Sequence, residues 1–173
     1  MSERRTNFEA LSGSLQTGPR AGWADLIGAE IIAVDEGRVV VELQASERHH
    51  HPGGVVQGGI ITAIADAAMG ISLMTAQPAG EANTTIELKI NFIRPVTHGR
   101  VRAEGKVVEI RKSLLFSEAD VYDEEGHLVA HATSTCIAIP NRWPAEDGGG
   151  GDSSPLGGEV SPRSGDGGAT PSP

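Results

Sequence analysis

The sequence predicts an α+β domain in which an antiparallel β-sheet wraps around a long central helix. Three observations point there. The stretch Ile60 to Thr75 is Ala-rich and apolar on nearly every helical face, and such a helix is normally surrounded by protein. Six other stretches read as strands bounded by turn residues. The four strands that follow the helix are joined by short links, which predicts antiparallel neighbours.

In chain order, Ala29 to Val34 and Arg38 to Leu43 read as two strands around the polar turn Asp35-Glu36-Gly37. A loop rich in His and Gly follows, HHHPGGVVQGG. The helix then runs from Ile60 to Thr75 and stops before Pro78. From Thr84 to Ile93 the residues alternate, with Ile86, Leu88, Ile90 and Phe92 on one face and Glu87, Lys89 and Asn91 on the other. Val101 to Ile110, Leu115 to Tyr122 and His127 to Ile139 complete the strands, the last two separated by the turn Asp123 to Gly126. An uncovered face or edge on such a sheet points to a dimer or higher oligomer.

The chain has 173 residues and a formal net charge of -9, with 23 Gly and 10 Pro. That length suits one domain, and the Gly and Pro content suggests an ordinary core diluted by a segment that does not fold. We place the domain at residues 23–140. Residues 1–22 form an N-terminal segment in which Phe8, Leu11 and Leu15 have helical spacing, so a short helix is expected there. Residues 141–173 are Gly, Ser, Pro and Asp with almost no large apolar side chain, and are expected to be disordered. The acidic balance argues against nucleic acid as a partner. The single cysteine, Cys136, excludes an internal disulfide and fits a reducing, cytoplasmic compartment. No apolar run is read as reaching the roughly 18 residues that would cross a bilayer, and no apolar stretch follows the two early arginines as in a signal peptide.

Two features carry chemistry. Asp66 lies in the middle of the apolar helix, where a carboxylate is costly unless paired. It is either an acid pointing out through a small polar gap or a catalytic carboxylate, acting as nucleophile or as general base on water. Gln57-Gly58-Gly59 stands at the helix start, where backbone N–H groups have no helical partner. Glycine permits close approach and the helix dipole adds positive potential, the requirements of an oxyanion hole. A plain helix-start loop would use the same residues. Gly58 and Asp66 are eight residues apart, or about 12 Å along a helix. If both act on one bond they must come from different subunits, which again predicts a dimer.

The run HPGGVVQGGIITAIADAAMG, followed by TTIELKINFIRPVTHGRVRAEGKVV, resembles the hotdog-fold thioesterases, specifically the PaaI-like acyl-CoA thioesterase group. The resemblance covers about Gly28 to Pro140. It implies a hotdog fold and hydrolysis of an acyl-CoA thioester to a carboxylate and free coenzyme A, by a dimer or tetramer. It implies that Asp66 is the nucleophile or base and that the Gly58 N–H polarises the carbonyl. It assigns His51, where the group often has Asn or Gln, to placing water or carbonyl, and Thr85, with Thr84 in reserve, to holding the water across the dimer. Gln57 stands where the group often has His; with Gly59 it borders the substrate. Arg94, Arg111 and Lys112 are candidates for the coenzyme A phosphates.

Such a reaction needs only a carboxylate and an oxyanion hole, because a thiolate leaves without a strong acid. No G-x-S-x-G sequence suggests a triad hydrolase. His49-His50-His51 invites a metal reading, but consecutive residues on an extended chain point to alternate sides, so no metal or other cofactor is called for. Cys136 reads as a small core residue. Two rivals remain. A hotdog acyl-CoA hydratase or dehydratase would pair His51 with Asp66; a non-catalytic acyl-CoA binding module would use neither.

Overall fold

The computed structural model describes residues 6–8 and 22–140. The disordered tail expected over 141–173 lies outside the described residues, as does most of the N-terminal segment. The described chain runs α1 (Gly22–Ile27), β1 (Ala29–Asp35), β2 (Arg38–Ala45), a single 3-10 turn (Glu47–His49), α2 (Gly58–Ala76), β3 (Glu81–Phe92), β4 (Gly99–Ile110), β5 (Leu114–Tyr122) and β6 (Leu128–Pro140). This is the hotdog fold: one six-stranded antiparallel sheet with α2 packed against it.

The strand order is β1-β2-β4-β5-β6-β3, which corrects one expectation. β4, β5 and β6 are consecutive neighbours, but β3 is not beside β4. β2 takes that place in unbroken register, from Arg38 opposite Lys106 to Ala45 opposite Gly99. β3 lies at the far edge against β6. The link after β3 holds Pro95 and is too irregular for a tight hairpin. Its Ile93 and Arg94 N–H groups both donate to Val129 O, and Val96 is buried. The link thereby carries the chain from one side of the sheet to the other.

The apolar pattern of α2 sorts cleanly once it is seated. Ile61, Ile64, Ala65, Ala68, Met69, Ser72 and Leu73 are buried at helical spacing. Thr62, Ala63, Asp66, Ala67, Gly70 and Met74 are only half-buried. The helix is therefore not enclosed on all sides by its own chain, and its open stripe carries Asp66. With 19 residues and a mean hydropathy of 1.6 it is long and apolar enough, by length and composition, to cross a bilayer, which corrects the reading that no run is. Here that apolarity is spent against the sheet.

The helix sits unusually close to the sheet because the facing residues are small. Ala65 and Ala68 look onto a surface that includes Ala103, Ala119 and Ala132, all fully buried. At the centre is Gly105. A Cβ there would lie 2.3 Å from the Ala68 carbonyl carbon and oxygen and 2.7 Å from the Met69 nitrogen. Only glycine lets the helix backbone rest directly on β4.

The lower end of the helix is tied by buried amides. Gln77 Nε2 donates to Ala82 O at 2.9 Å, and Gln77 Oε1 accepts from Asn83 Nδ2 at 2.9 Å. Asn83 Nδ2 also donates to Gly70 O at 3.0 Å. Asn7, 5% exposed, adds a second clamp: its Nδ2 donates to Met74 O and Glu81 O, and its Oδ1 accepts from Gly80 N–H. These bonds join the C-terminal end of the helix to the start of β3, and the one to Met74 O satisfies a carbonyl that has no helical donor.

Two outcomes are expected. Gly105→Ala forces the helix off β4, so denaturant unfolding will show a loss of upwards of about 2 kcal/mol, the scale of overpacking a filled core. Asn7→Ala removes the donor to two half-buried carbonyls, Met74 O and Glu81 O, and the acceptor of Gly80 N–H; the same measurement will show a loss of about 2–3 kcal/mol.

Candidate active site

Asp66 does not stand alone. Thr85 Oγ1 donates a hydrogen bond to Asp66 Oδ1 at 3.0 Å, from the edge strand across to the open stripe of the helix. The carboxylate keeps partial access to solvent, which reduces its desolvation cost, and the hydroxyl supplies a partner.

Simple alternation would put Thr85 on the outer face, with Glu87 and Lys89. The structure places it on the inner one. Between Thr85 and Glu87 the register of β3 on β6 slips: Thr85 is opposite Cys136 and Glu87 opposite Thr135, leaving Ile86 without an opposite partner. This β-bulge changes the phase of the strand. Asn83 and Thr85 face the helix before it, and Leu88 and Ile90 pack on the core after it. Ile86 and Phe92, expected on the buried face with Leu88 and Ile90, are instead 55% and 54% exposed.

At the helix start, Gln57 is the N-cap residue, and its own side-chain Oε1 accepts from Gly58 N–H at 3.1 Å. The candidate oxyanion donor is thus held by an amide carbonyl. The Phe92 ring lies against Gly58: a Cβ there would come within 2.9 Å of Phe92 Cζ. A Cβ at Gly59 would meet nothing within 4 Å. Gly58 and Asp66 belong to the same continuous helix and stay separated along it, as their spacing requires.

The three histidines go to three places. His49 is buried, accepts from Ser46 N–H at Nδ1 and faces Ile27 O through Nε2 at 2.9 Å. Arg48 Nε also lies 3.1 Å from His49 Nε2. His50 pairs with Thr97 O. His51 Nδ1 accepts from Gly53 N–H at 2.8 Å, closing its own loop. Within one chain, His51 and Asp66 share no hydrogen bond: His51 accepts from Gly53 N–H and Asp66 from Thr85. Away from all of these, Asp123, Glu125 and His127 gather in the β5–β6 turn, where Asp123 already accepts from the His127 N–H and faces its Nδ1.

Arg94, Arg111 and Lys112 are exposed. Arg94 is in the link beyond Phe92, at the Gly58 end of the chain. Arg111 and Lys112 are in the β4–β5 turn next to Leu115, which is opposite Cys136 and so at the Thr85 end. Arg111 lies 3.7 Å from Glu109. Two shallow grooves lie away from Asp66, one along Arg38, Lys106 and Tyr122, the other along Phe116, Thr133 and Thr135.

Sequence reasoning missed what surrounds Thr85 and Gly58. Cys136 Sγ is 3.6 Å from Thr85 Oγ1, and Ser134 Oγ is 3.5 Å from Cys136 Sγ. That grouping depends on the β3–β6 register, for which the chain gives no local signal. Phe92 against Gly58 likewise follows from the β3–β4 crossover.

Known proteins bear on this site. The sequence model of the thioesterase superfamily matches residues 53–130, which span the loop before α2, the whole helix and most of the sheet. The Saccharolobus solfataricus protein SSO2140, provisionally named an esterase, is 35% identical over 120 residues, covering 69% of this chain and 85% of that one. The 1,4-dihydroxy-2-naphthoyl-CoA hydrolase of Listeria monocytogenes is 29% identical over 121 residues, covering 70% of this chain and 98% of its own. The solved structure of the Escherichia coli PaaI protein superimposes with a TM-score of 0.67, covering 78% of this chain and 92% of that one; at 20% identity it speaks for the fold alone. The chain belongs to the thioesterase superfamily and is a hotdog-fold hydrolase of thioester bonds.

Proposed function

We propose that this chain hydrolyses an acyl-CoA thioester to a free carboxylic acid and coenzyme A, in a site shared by two copies. The observation that carries the reading is Asp66, held by Thr85 on the one stripe of α2 that its own chain leaves open. The coenzyme A thioester hydrolase among its relatives supports the substrate class.

In this reading the Asp66 carboxylate attacks the thioester carbonyl carbon, or takes a proton from a water that does. The carbonyl oxygen gains negative charge and accepts from the Gly58 N–H at the positive end of the partner's helix. The C–S bond then breaks and the thiolate leaves; on the nucleophilic route a water then cleaves the Asp66 acyl anhydride, freeing the carboxylic acid and restoring the carboxylate. The Gln57 amide carbonyl now on Gly58 marks where that oxygen sits and has to give way to it. Gln57 and Gly59 border the substrate, and His51 shapes the loop that carries them.

Two antiparallel α2 helices about a two-fold axis bring the Asp66 of one copy to the Gly58 of the other. The same operation sets Arg94 of one copy near Arg111 and Lys112 of the other, so basic groups for the coenzyme A phosphates come from both chains. The unpaired edge of β3, with exposed Ile86, and the half-open stripe of α2 suit such a contact. A dimer is the minimum unit, and a tetramer built from two such dimers fits the same site. Reduced thiol at Cys136 suits a cytoplasmic setting.

Free-thiol release from a panel of short, medium and aromatic acyl-CoAs tests the reaction. Asp66→Asn and Asp66→Ala will each lose about 10²-fold or more in kcat; no hydrolysis of any acyl-CoA by the unaltered protein, or full activity without Asp66, refutes the reading.

A mixed dimer tests the sharing. Gly58 is the first helical residue and Gln57 has φ −60° and ψ 130°, so Gly58→Pro removes the N–H donor and suits both backbone preferences; because its Cβ displaces the Phe92 ring, Gly58→Ala, which keeps the N–H and makes the same contact, is measured beside it and will stay active. Asp66→Ala and Gly58→Pro will each be inactive alone. Refolded together, Asp66→Ala and Gly58→Pro chains will regain about a quarter of the normal activity, since half the dimers carry one intact site. Failure to recover refutes the shared site.

A further inference from the structure

We propose that Cys136, backed by Ser134, is a positioning residue that fixes the Thr85 hydroxyl on Asp66. The inference rests on the reading of Asp66 given above and deepens it.

Proton counting gives the argument. An ionised carboxylate only accepts, so the single hydroxyl proton of Thr85 points at Asp66 Oδ1. Thr85 Oγ1 can then only accept from its other neighbour. That neighbour is Cys136 Sγ, at 3.6 Å, so the thiol is the donor of this pair. Once the thiol proton is used, the sulfur can only accept from Ser134 Oγ, 3.5 Å away. The donors therefore run in one direction, from Ser134 to Cys136 to Thr85 to Asp66.

Nothing in this row is free to turn elsewhere at low cost. Cys136 is fully buried against Leu73 and Leu115, and Ser134 is 3% exposed. Without the thiol proton, the half-buried Thr85 hydroxyl oxygen lacks that donor and loses one of the contacts that select its rotamer. The thioester-attacking carboxylate would then wander within its half-open stripe. Small displacements of a reacting group lower the rate without changing substrate affinity.

Packing and donation make opposite demands, which gives a clean test. Cys136→Val fills the site with slightly more apolar bulk but has no donor; Cys136→Ser has a donor but buries a hydroxyl less readily; Cys136→Ala has no donor and leaves a small cavity. Kinetics with the best acyl-CoA of the panel, thermal unfolding of each variant, and three-bond NMR couplings to Thr85 Cγ2 are measured together. Cys136→Ala and Cys136→Val will lose about fivefold to tenfold in kcat with KM nearly unchanged, the scale of one neutral hydrogen bond. Cys136→Ser will retain most of the rate even where it melts earlier. The Thr85 couplings will report one rotamer in the unaltered protein and Cys136→Ser, and averaging in the other two.

If the rate follows stability, with Cys136→Val near normal and Cys136→Ser impaired, Cys136 is a packing residue and the inference is wrong. The same holds if Thr85 keeps one rotamer in Cys136→Ala and Cys136→Val. Full activity of Asp66→Asn would instead overturn the reading of Asp66, while the couplings still decide whether Cys136 holds Thr85.

Discussion

The contact of the α2 backbone with Gly105 is the constraint on which the rest of the structure depends. Helices and sheets usually keep a layer of side chains between them. Here Ala68 and Met69 rest on a residue with none, flanked by Ala103, Ala119 and Ala132. The close seating turns the Ile61, Ile64, Ala68 and Leu73 side toward the sheet and leaves the Asp66 side facing its open margin. A helix seated farther out would carry Asp66 beyond the reach of Thr85. A rotation of one residue, about 100°, would bury the carboxylate under the sheet, where it would lack both solvent and the β3 hydroxyl. The small residues that make the helix look merely apolar in sequence are what aim its only acid.

Much of this was legible. The Ile60 to Thr75 periodicity, the polar turns and the alternation of the strands gave six strands and one principal helix in the right order, because each is a local signal. What was not legible is how strands pair at a distance. Short links suggested that β3 would lie beside β4, but loop length constrains a neighbour only when the loop is a tight turn. Pro95 and the twin donation of Ile93 and Arg94 to Val129 O make this one a crossover. The bulge at Ile86 was hidden for a related reason. Alternation assigns faces by counting, and a bulge is a miscount built into the strand. The resemblance pointed to Thr85, while counting alone would have set it on the wrong face.

The histidines show the converse. HHH is conspicuous as text, yet its members have three separate carbonyl or amide partners, and their work is to shape the stretch between β2 and α2. Cys136, inconspicuous as text, lies against the Thr85 hydroxyl that bonds the candidate acid. Residue type drew attention to the first group; register, which residue type does not encode, located the second.

The division of chemistry along α2 has a physical logic. An oxyanion belongs at a helix N-terminus, where N–H groups lack partners and the dipole is positive. A carboxylate meant to attack does not belong there, since the same potential would stabilise it and blunt its basicity. Eight residues further on, Asp66 is clear of the first turn, and a neutral hydroxyl rather than a cation holds it. One helix cannot then bring both groups to one carbonyl, because a straight helix keeps its residues apart. In the proposed site, two antiparallel copies about a two-fold axis would solve the problem without bending either helix, and activity would then be a property of the pair.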